Sequence, residues 1–214
     1  PLEIKRKKII LILLKAASLF LFRERKGIIF DWRMRYKTLS KKEWIKAYDY
    51  IAAHDRRKES ITPRERELIL RNISGRKVLD LGSGKSTLPC LLEEKGYRVV
   101  AFDCSKIALK LNPGRLKVQG FAEELPFKDN SFDTVVCLHT LEHVAGLEKA
   151  VQEMKRVCKK RIIVIVPLQK PALYSPDYHI HFFSSHRELS EIFKTKEYFY
   201  ERIERDIIFI HDLK

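Results

Sequence analysis

The chain has 214 residues, enough for one domain with an extension and a sizeable hydrophobic core. Its formal net charge of +15 is uneven, because residues 1–76 hold 21 Lys/Arg and 9 Asp/Glu, a net of +12, whereas residues 77–214 hold 22 and 19, a net of +3. This asymmetry indicates an N-terminal third that meets a membrane surface, a nucleic acid or a phosphorylated substrate, or else one with solvated helix faces. The four cysteines show no C-x-x-C pair, which argues against a zinc site or a disulfide framework and favours a reducing cytoplasm.

The chain begins with a basic stretch and then a mostly apolar run, Ile9 to Phe22, interrupted by Lys15 and Ser18. As a helix this run would be about 21 Å long, shorter than the roughly 30 Å hydrocarbon core of a bilayer, so a simple membrane span is not expected. A broad apolar face beside basic residues is typical of a helix that lies in a membrane interface. Packing on the domain or on a second subunit would explain the same pattern. We therefore treat residues 1–26 as a separate N-terminal helix with either role.

Residues 27–75 are predicted to form a helical cap. Ser40 is placed to cap one helix, with Glu43 at the capping-box position. Thr62 is placed to cap a second helix, which Gly75 follows.

From residue 76 to 214 the pattern changes to alternating strands and helices. Short apolar runs typical of buried strands are "KVLDLG", "RVVAFD", "LKVQG", "FDTVVCLH" and "RIIVIVPL", and the tail "YFYERIERDIIFIHDL" reads as a closing hairpin. This order predicts an α/β domain with a doubly wound, mostly parallel seven-stranded sheet, and ligands at the carboxyl ends of its strands.

The stretch "VLDLGSGKST" decides between two ligands. A phosphate loop requires G-x-x-x-x-G-K-[ST], but its first glycine position is Leu79, so the loop is too short to hold a pyrophosphate. A nucleoside site explains more: Asp80 ends the first strand, Gly82 and Gly84 allow a sharp turn, and Asp103 ends the next strand where a ribose diol is bound in doubly wound folds.

Four segments, "VLDLGSG", "VVAFDCSKIAL", "AEELPFKDNSFDTVVCLHTLEHV" and "DYHIHFFSSHRELSEIF", resemble the class I S-adenosylmethionine-dependent methyltransferases, most of all the group that acts on small molecules and lipids. The resemblance begins near Arg64 and implies a Rossmann-like fold with S-adenosyl-L-methionine as cofactor. Carried over by position, it implies that the cofactor contacts Asp80, Gly82, Ser83, Gly84, Asp103, Cys104, Ala122, Glu123 and Leu138. Two positions depart from the family: Ser86 replaces its third glycine, and Phe121 replaces an acid that contacts adenine.

Methyl transfer from a sulfonium mainly requires that the nucleophile be positioned and water be excluded. Where the acceptor must lose a proton, His143 and His139 are the candidate catalytic residues, as a base or as groups that orient the acceptor. Packing roles would explain the same histidines. The segment "HIH" adds His179 and His181 near the expected substrate pocket, but none of the four has a known ligand spacing, so no metal site is predicted.

The acceptor is the least constrained part of the interpretation. The segment after the fourth strand, "LHTLEHV", lacks the Asn/Asp-Pro-Pro-aromatic loop of base methylases, which counts against methylation of nucleobases. The apolar first helix and the basic cap favour a small-molecule or lipid-linked acceptor at a membrane surface. Aromatic residues of the cap could cover it: Trp32, Trp44, Tyr48, Tyr50 and His54. The alternatives are an RNA methyltransferase that binds phosphates through its basic third, and a non-catalytic scaffold that only binds the cofactor.

Overall fold

The structure is a computed structural model, and it describes residues 36–54, 61–171 and 178–213. The predicted N-terminal helix of residues 1–26 and the cap residue Trp32 lie outside the described residues. Within these described ranges, no helix is long and apolar enough to cross a membrane.

The centre of the fold is one mixed sheet with the strand order β3-β2-β1-β4-β5-β7-β6. The first five strands are parallel, and β7 pairs antiparallel with both β5 and β6. The strands are β1 (Lys77–Leu81), β2 (Arg98–Asp103), β3 (Leu116–Gln119), β4 (Phe132–Leu138), β5 (Cys158–Pro167), β6 (Phe199–Ile203) and β7 (Asp206–Asp212). The predicted doubly wound, mostly parallel sheet with its closing hairpin is confirmed.

Helices cover both faces of this sheet. They are α1 (Lys41–His54), α2 (Pro63–Asn72), α3 (Leu88–Glu94), α4 (Lys106–Leu111), α5 (Leu147–Val157) and α6 (His186–Ile192), with single 3-10 turns at Tyr36–Thr38 and Leu141–His143. The helices α5 and α6 pack on one face, where Met154 and Leu189 join the core, and α2 and α3 pack on the other, where Ile69 and Leu92 do so. Neighbouring residues of β1, β4, β5 and β7 alternate between these two cores, as the period of a strand requires.

The predicted helix caps are present at the start of α2 and α1. The Thr62 hydroxyl accepts a hydrogen bond from the Glu65 amide (3.2 Å), and the Glu65 carboxylate accepts one from the Thr62 amide (2.7 Å). Ser40 and Glu43 make the same reciprocal pair at the start of α1 (2.8 and 3.4 Å). The capping box of α2 is important for the site, because it fixes the buried side chain of Glu65 below the carboxyl ends of the strands.

Candidate active site

A tight turn follows β1 at the carboxyl edge of the sheet. The amides of Gly82 and Ser83 both donate to the Phe102 carbonyl (2.7 and 3.0 Å), which joins the turn to β2. Gly82 has a φ of 72°, and a Cβ there would lie 2.1 Å from the Thr140 hydroxyl oxygen, so close packing requires this glycine. Gly84 also has a positive φ, 52°, but a Cβ there would meet nothing within 4 Å. The open space beside Gly84 is where a ligand can approach the backbone.

Two buried polar side chains at this turn lack partners among the described residues. Asp80 is 1% exposed and its Oδ2 has no hydrogen bond, and the Ser83 hydroxyl is likewise buried without one. Burial, and then the nearby charge of Asp103, raise the pKa of Asp80 to about 7. An unsatisfied buried carboxylate is costly, and a cationic ligand group with N–H donors would satisfy it.

Asp103, at the end of β2, is held by the backbone on both of its oxygens. Its Oδ2 accepts from the Gly84 amide (2.9 Å) and its Oδ1 from the Ser105 amide (2.7 Å). Burial raises the pKa of Asp103 in spite of these bonds. Each carboxylate oxygen has a second lone pair, so this side chain can still accept from a diol.

The other residues predicted to border an adenine also line this region. Cys104 and Ala122 line the same cavity, and burial followed by the charge of Asp103 raises the pKa of Cys104 well above its usual range. Glu123 also lines the cavity, but its Oε1 accepts from the Gly146 amide (2.9 Å), so its carboxylate caps the start of α5. At the departure position, the Lys41 ammonium lies 5.4 Å from the centroid of the Phe121 ring, a cation–π contact from the helical cap.

The cap helix α1 is joined to α4 beside this site. Asp49 accepts hydrogen bonds from the Ser105 hydroxyl (2.6 Å) and from the Ile107 amide (3.0 Å). On the same helix, Trp44 stacks on Tyr48 with ring centroids 5.7 Å apart. The buried Tyr48, whose pKa is raised well above its usual range by burial and then by nearby acids, faces the cavity. The cap therefore forms one wall of the site.

His139, directly after β4, lies between acidic side chains. Its φ is 48°, and its Nε2 is 3.5 Å from Glu65 Oε1 while its Nδ1 is 3.8 Å from Glu142 Oε1. Burial lowers the pKa of His139, but the contact with Glu65 and the charges of Glu142 and Asp206 outweigh it, so the net shift is upward. Burial raises the pKa of Glu65, while the contact with His139 and the hydrogen bonds from Thr62 lower it, and the net shift is downward. This pairing favours an imidazolium–carboxylate contact.

His143 and His179 lie together, with ring centroids 4.8 Å apart. Nδ1 of His143 donates to the Tyr178 carbonyl (3.0 Å), and Nδ1 of His179 donates to Gln169 Oε1 (2.7 Å). His181 points elsewhere, since its Nε2 donates to the Val144 carbonyl (2.8 Å). Of the four histidines singled out in the sequence, His139 and His143 flank Glu142, His179 joins His143, and His181 is apart.

The turn after β1 and the side chains of His139, His143 and His179 line one cavity of about 1010 Å³. This volume is at the upper end of the ~300–1,000 Å³ range for small-molecule sites, so it can hold more than one ligand. We call the part lined by Gly82, Ser83, Gly84 and Asp103, together with the buried Asp80 of β1 beside it, the turn end. We call the part formed by His139, Glu142, His143 and His179 the histidine end. Leu138, at the end of β4, lines the same cavity.

Sequence reasoning did not identify four acids in or beside the site. Glu65 is visible in the sequence only as a capping-box residue, and Glu142 only as part of the "LEHV" run. Asp206 begins β7, and nothing in the local sequence distinguishes it. Asp49 is likewise a helical position without a motif, and only the packing of α1 on α4 reveals its contact.

Comparison with known proteins gives a consistent assignment. Residues 79–166 match the family model described as a methyltransferase domain. The uncharacterized methyltransferase sll0829 of Synechocystis is 38% identical over 120 residues, which cover 51% of this chain and 56% of that protein. The ubiquinone/menaquinone biosynthesis C-methyltransferase UbiE of Vibrio cholerae is 34% identical over 115 residues, which cover 46% of this chain and 44% of that protein. The chain thus spans about half the length of these relatives.

Among solved structures, a SAM-dependent methyltransferase from Thermotoga maritima superposes with a TM-score of 0.57 at 18% identity, covering 87% of this chain and 99% of that one. At this identity the likeness concerns the fold. The matched domain spans β1 to β5 and so includes the turn end. There, the Asp80 carboxylate oxygen without a hydrogen bond and Asp103, which accepts from the Gly84 amide, suit a cationic adenosyl ligand. Residues 79–166 thus match a methyltransferase domain, for which S-adenosylmethionine is the cofactor.

Proposed function

We propose that this protein transfers a methyl group from S-adenosylmethionine to a small-molecule or lipid-linked acceptor. The observation that carries the proposal is the buried Asp80 carboxylate, whose Oδ2 has no hydrogen bond within the described chain and lies at a turn with open space beside Gly84. A triphosphate would bring negative charge to this acid and to Asp103, whereas an adenosyl amino acid brings an ammonium and a ribose diol.

The turn end would hold the cofactor through its own residues. Asp80 would receive the ammonium of the methionine part, and Ser83 would offer its hydroxyl to the same part. Asp103, already fixed by the amides of Gly84 and Ser105, would accept from the ribose hydroxyls without reorganising. Cys104 and Ala122 would border the adenine. S-adenosylmethionine supplies an activated methyl group when bound, so these residues need only bind and orient it.

The histidine end would receive the acceptor. His139 is positioned by Glu65, in the way that a carboxylate orients a catalytic imidazole, and in its neutral form it can take a proton from an acceptor. His143, whose ring is oriented by the Tyr178 carbonyl, can orient the acceptor. Both side chains are about one quarter exposed, 26% and 23%, so a substrate can reach them.

The side chains that line the cavity support an apolar acceptor. The cap helix α1 contributes Trp44, Tyr48 and Ile51 to its lining, and a large aromatic wall suits a ring or a lipid chain better than a polyanion. The quinone-directed role in the name of UbiE, a relative at modest identity, is consistent with such an acceptor.

The test of this function is transfer of a labelled methyl group. The full chain is incubated with tritium-labelled S-adenosylmethionine and, separately, demethylated quinols in detergent, small phenols and amines, and total tRNA. Label in the organic-soluble products is expected. Asp80→Asn serves as the matched variant and should transfer little label. Label in tRNA alone would contradict the proposal in favour of RNA methylation, and cofactor binding without label in any acceptor set would identify a non-catalytic scaffold.

A membrane-surface location is a separate part of the proposal. It rests on the basic and apolar residues 1–26, which lie outside the described residues. The full chain should sediment with vesicles that contain anionic lipid, and a chain that begins at residue 27 should not. Equal sedimentation of the two chains, or none of either, would remove membrane association from the account.

A further inference from the structure

Three potential metal ligands converge at the histidine end. One carboxylate oxygen of Glu142 and one ring nitrogen each of His143 and His179 all lie within 4.8 Å of one another. Glu142 is 1% exposed and His179 is 8% exposed, so the group is largely shielded from water, and all three residues line the cavity. Buried carboxylates are found paired or bound to a metal, which makes this group a candidate cation site.

The hydrogen bonds of the two imidazoles define their tautomers. A carbonyl or amide oxygen only accepts, so Nδ1 carries the hydrogen in His143, facing the Tyr178 carbonyl, and in His179, facing Gln169 Oε1. In each neutral ring Nε2 then carries the lone pair. The Nε2 of His143 is 3.9 Å from Glu142 Oε1. A histidine that binds a metal through one ring nitrogen usually donates the N–H of its other ring nitrogen to an oxygen, as both of these rings do.

The backbone also holds these three residues in position. Glu142 and His143 lie in the 3-10 turn Leu141–His143, and the amides of Ile180 and His181 donate to the backbone carbonyl of Glu142 (2.8 and 3.0 Å). These two bonds bring the segment with His179 against the turn. Ligands fixed before binding reduce the entropic cost of coordination.

A second group of potential ligands, Glu65, His139 and Asp206, differs from the first. Its histidine lies directly between acids, with Nε2 toward Glu65, and the other Glu65 oxygen closes the capping box of α2. Side-chain pairing and helix capping therefore explain that group without an ion.

We propose that Glu142, His143 and His179 bind a divalent transition-metal ion whose open positions face the acceptor. Two imidazoles and one carboxylate suit Zn²⁺, Mn²⁺, Fe²⁺ or Co²⁺ better than Mg²⁺ or Ca²⁺, and three protein ligands leave positions for an outside oxygen. This inference rests on the proposed methyl transfer. It implies that the acceptor is a hydroxyl or phenol compound that binds the metal through its oxygen. The sequence interpretation, which rested on ligand spacing along the chain, predicted no metal, because these ligands meet only in the fold.

The metal has a defined role in this scheme. Coordination lowers the pKa of a bound hydroxyl, so that the acceptor O–H bond breaks near neutral pH and the proton passes to water. The electron pair left on the acceptor forms the new bond to the methyl carbon, while the pair of the S–CH₃ bond stays on sulfur and leaves S-adenosylhomocysteine.

The test is a titration of chelator-treated full chain with Co²⁺, followed by visible absorbance. We expect one ion per chain. His143→Ala and His179→Ala should each weaken binding at least about 10²-fold, and Gln169→Leu, which removes only the orienting bond to His179, by about 10–100-fold. His181→Ala is the matched control, since it removes a nearby imidazole outside the group and should leave Co²⁺ affinity within about twofold.

Two further readouts separate the outcomes. Binding of S-adenosylhomocysteine by each variant should stay within about twofold of the unaltered chain, which shows that the fold is intact. Acetohydroxamate, a bidentate oxygen ligand, should change the Co²⁺ spectrum by occupying the open positions.

Co²⁺ affinity that is unaffected by His143→Ala plus His179→Ala, or reduced equally by His181→Ala, would overturn the metal site. An unchanged spectrum with acetohydroxamate would overturn acceptor binding to the metal. Metal binding by a chain that binds no S-adenosylhomocysteine would instead contradict the proposed function.

Discussion

The turn end and the histidine end belong to one cavity but are assembled differently. The turn end comes from the carboxyl ends of two adjacent parallel strands, β1 and β2, within residues 80–103, and backbone amides fix Asp103. The histidine end combines Glu142 and His143, which follow β4, with His179 beyond β5 and with contacts from α2 and β7. The first is a local product of strand and turn, and the second exists only when distant segments pack together.

The largest effect should come from a substitution of Gly82 in the turn. Gly82→Ala places a Cβ 2.1 Å from the Thr140 hydroxyl at a positive φ, so overpacking and backbone strain together should cost about 2–5 kcal/mol of unfolding free energy. Gly84→Ala is the matched control, since its Cβ meets nothing within 4 Å and only the strain of about 1–2 kcal/mol remains. Urea unfolding measures both. Equal losses would show that the turn does not pack on Thr140 as described.

Asp80→Asn should change the stability of the fold and the binding of the cofactor in opposite directions. The pKa of Asp80 in the folded chain, about 7, is above its unfolded value, so the folded state holds the proton more tightly. Stability therefore falls as pH rises from about 4 through about 7, and the neutral Asn removes this fall. At pH 8 the variant should be more stable, by an amount on the order of 2–4 kcal/mol, yet bind S-adenosylhomocysteine less tightly.

The pH dependence of binding provides the control for that prediction. Because a charged Asp80 is needed for the ligand ammonium, the affinity of the unaltered chain should rise between pH 6 and pH 8 and level off above. Asp80→Asn should show no such rise. A variant that is less stable at pH 8, or that keeps the pH dependence, would mean that another group titrates.

Asp103→Ala should weaken the binding of S-adenosylhomocysteine by about 10- to 100-fold. It removes a charged acceptor, and hydrogen bonds to charged groups contribute about 1.5–3 kcal/mol. Asp103→Asn, which keeps one acceptor oxygen, should lose less. Calorimetry measures both variants, and unchanged affinity in Asp103→Ala would show that the ribose is bound elsewhere.

The smallest effect should come from the contact between cap and domain. Asp49→Ala removes the acceptor of the Ser105 hydroxyl and the Ile107 amide at the start of α4, which should cost about 0.5–2 kcal/mol of stability. Binding of S-adenosylhomocysteine should weaken only a few-fold, because Asp103 keeps its own backbone bonds. A loss as large as that of Asp103→Ala would show that the cap itself holds the cofactor.

The contrast between the two ends also explains what the sequence could predict. Strand periodicity and the run "VLDLGSG" were sufficient for the sheet and for the positions of Asp80, Gly82, Gly84 and Asp103, because those features depend on neighbours along the chain. Their roles as cofactor ligands remain predictions.

The acids of the histidine end could not be predicted in this way. Asp206 reaches it because β7 inserts antiparallel beside β5, which places the start of β7 opposite Pro167. Glu65 reaches it from a helix before the sheet. No local pattern encodes these placements, since they depend on strand order and helix packing.

Calorimetric titration of the full chain with S-adenosylmethionine, S-adenosylhomocysteine and ATP tests the central claim most directly. The account predicts that both adenosyl compounds bind at one site per chain, with affinity lost in step in Asp80→Asn and Asp103→Ala, and that ATP gives no comparable heat. Tight binding of ATP with no response to either adenosyl compound would contradict it.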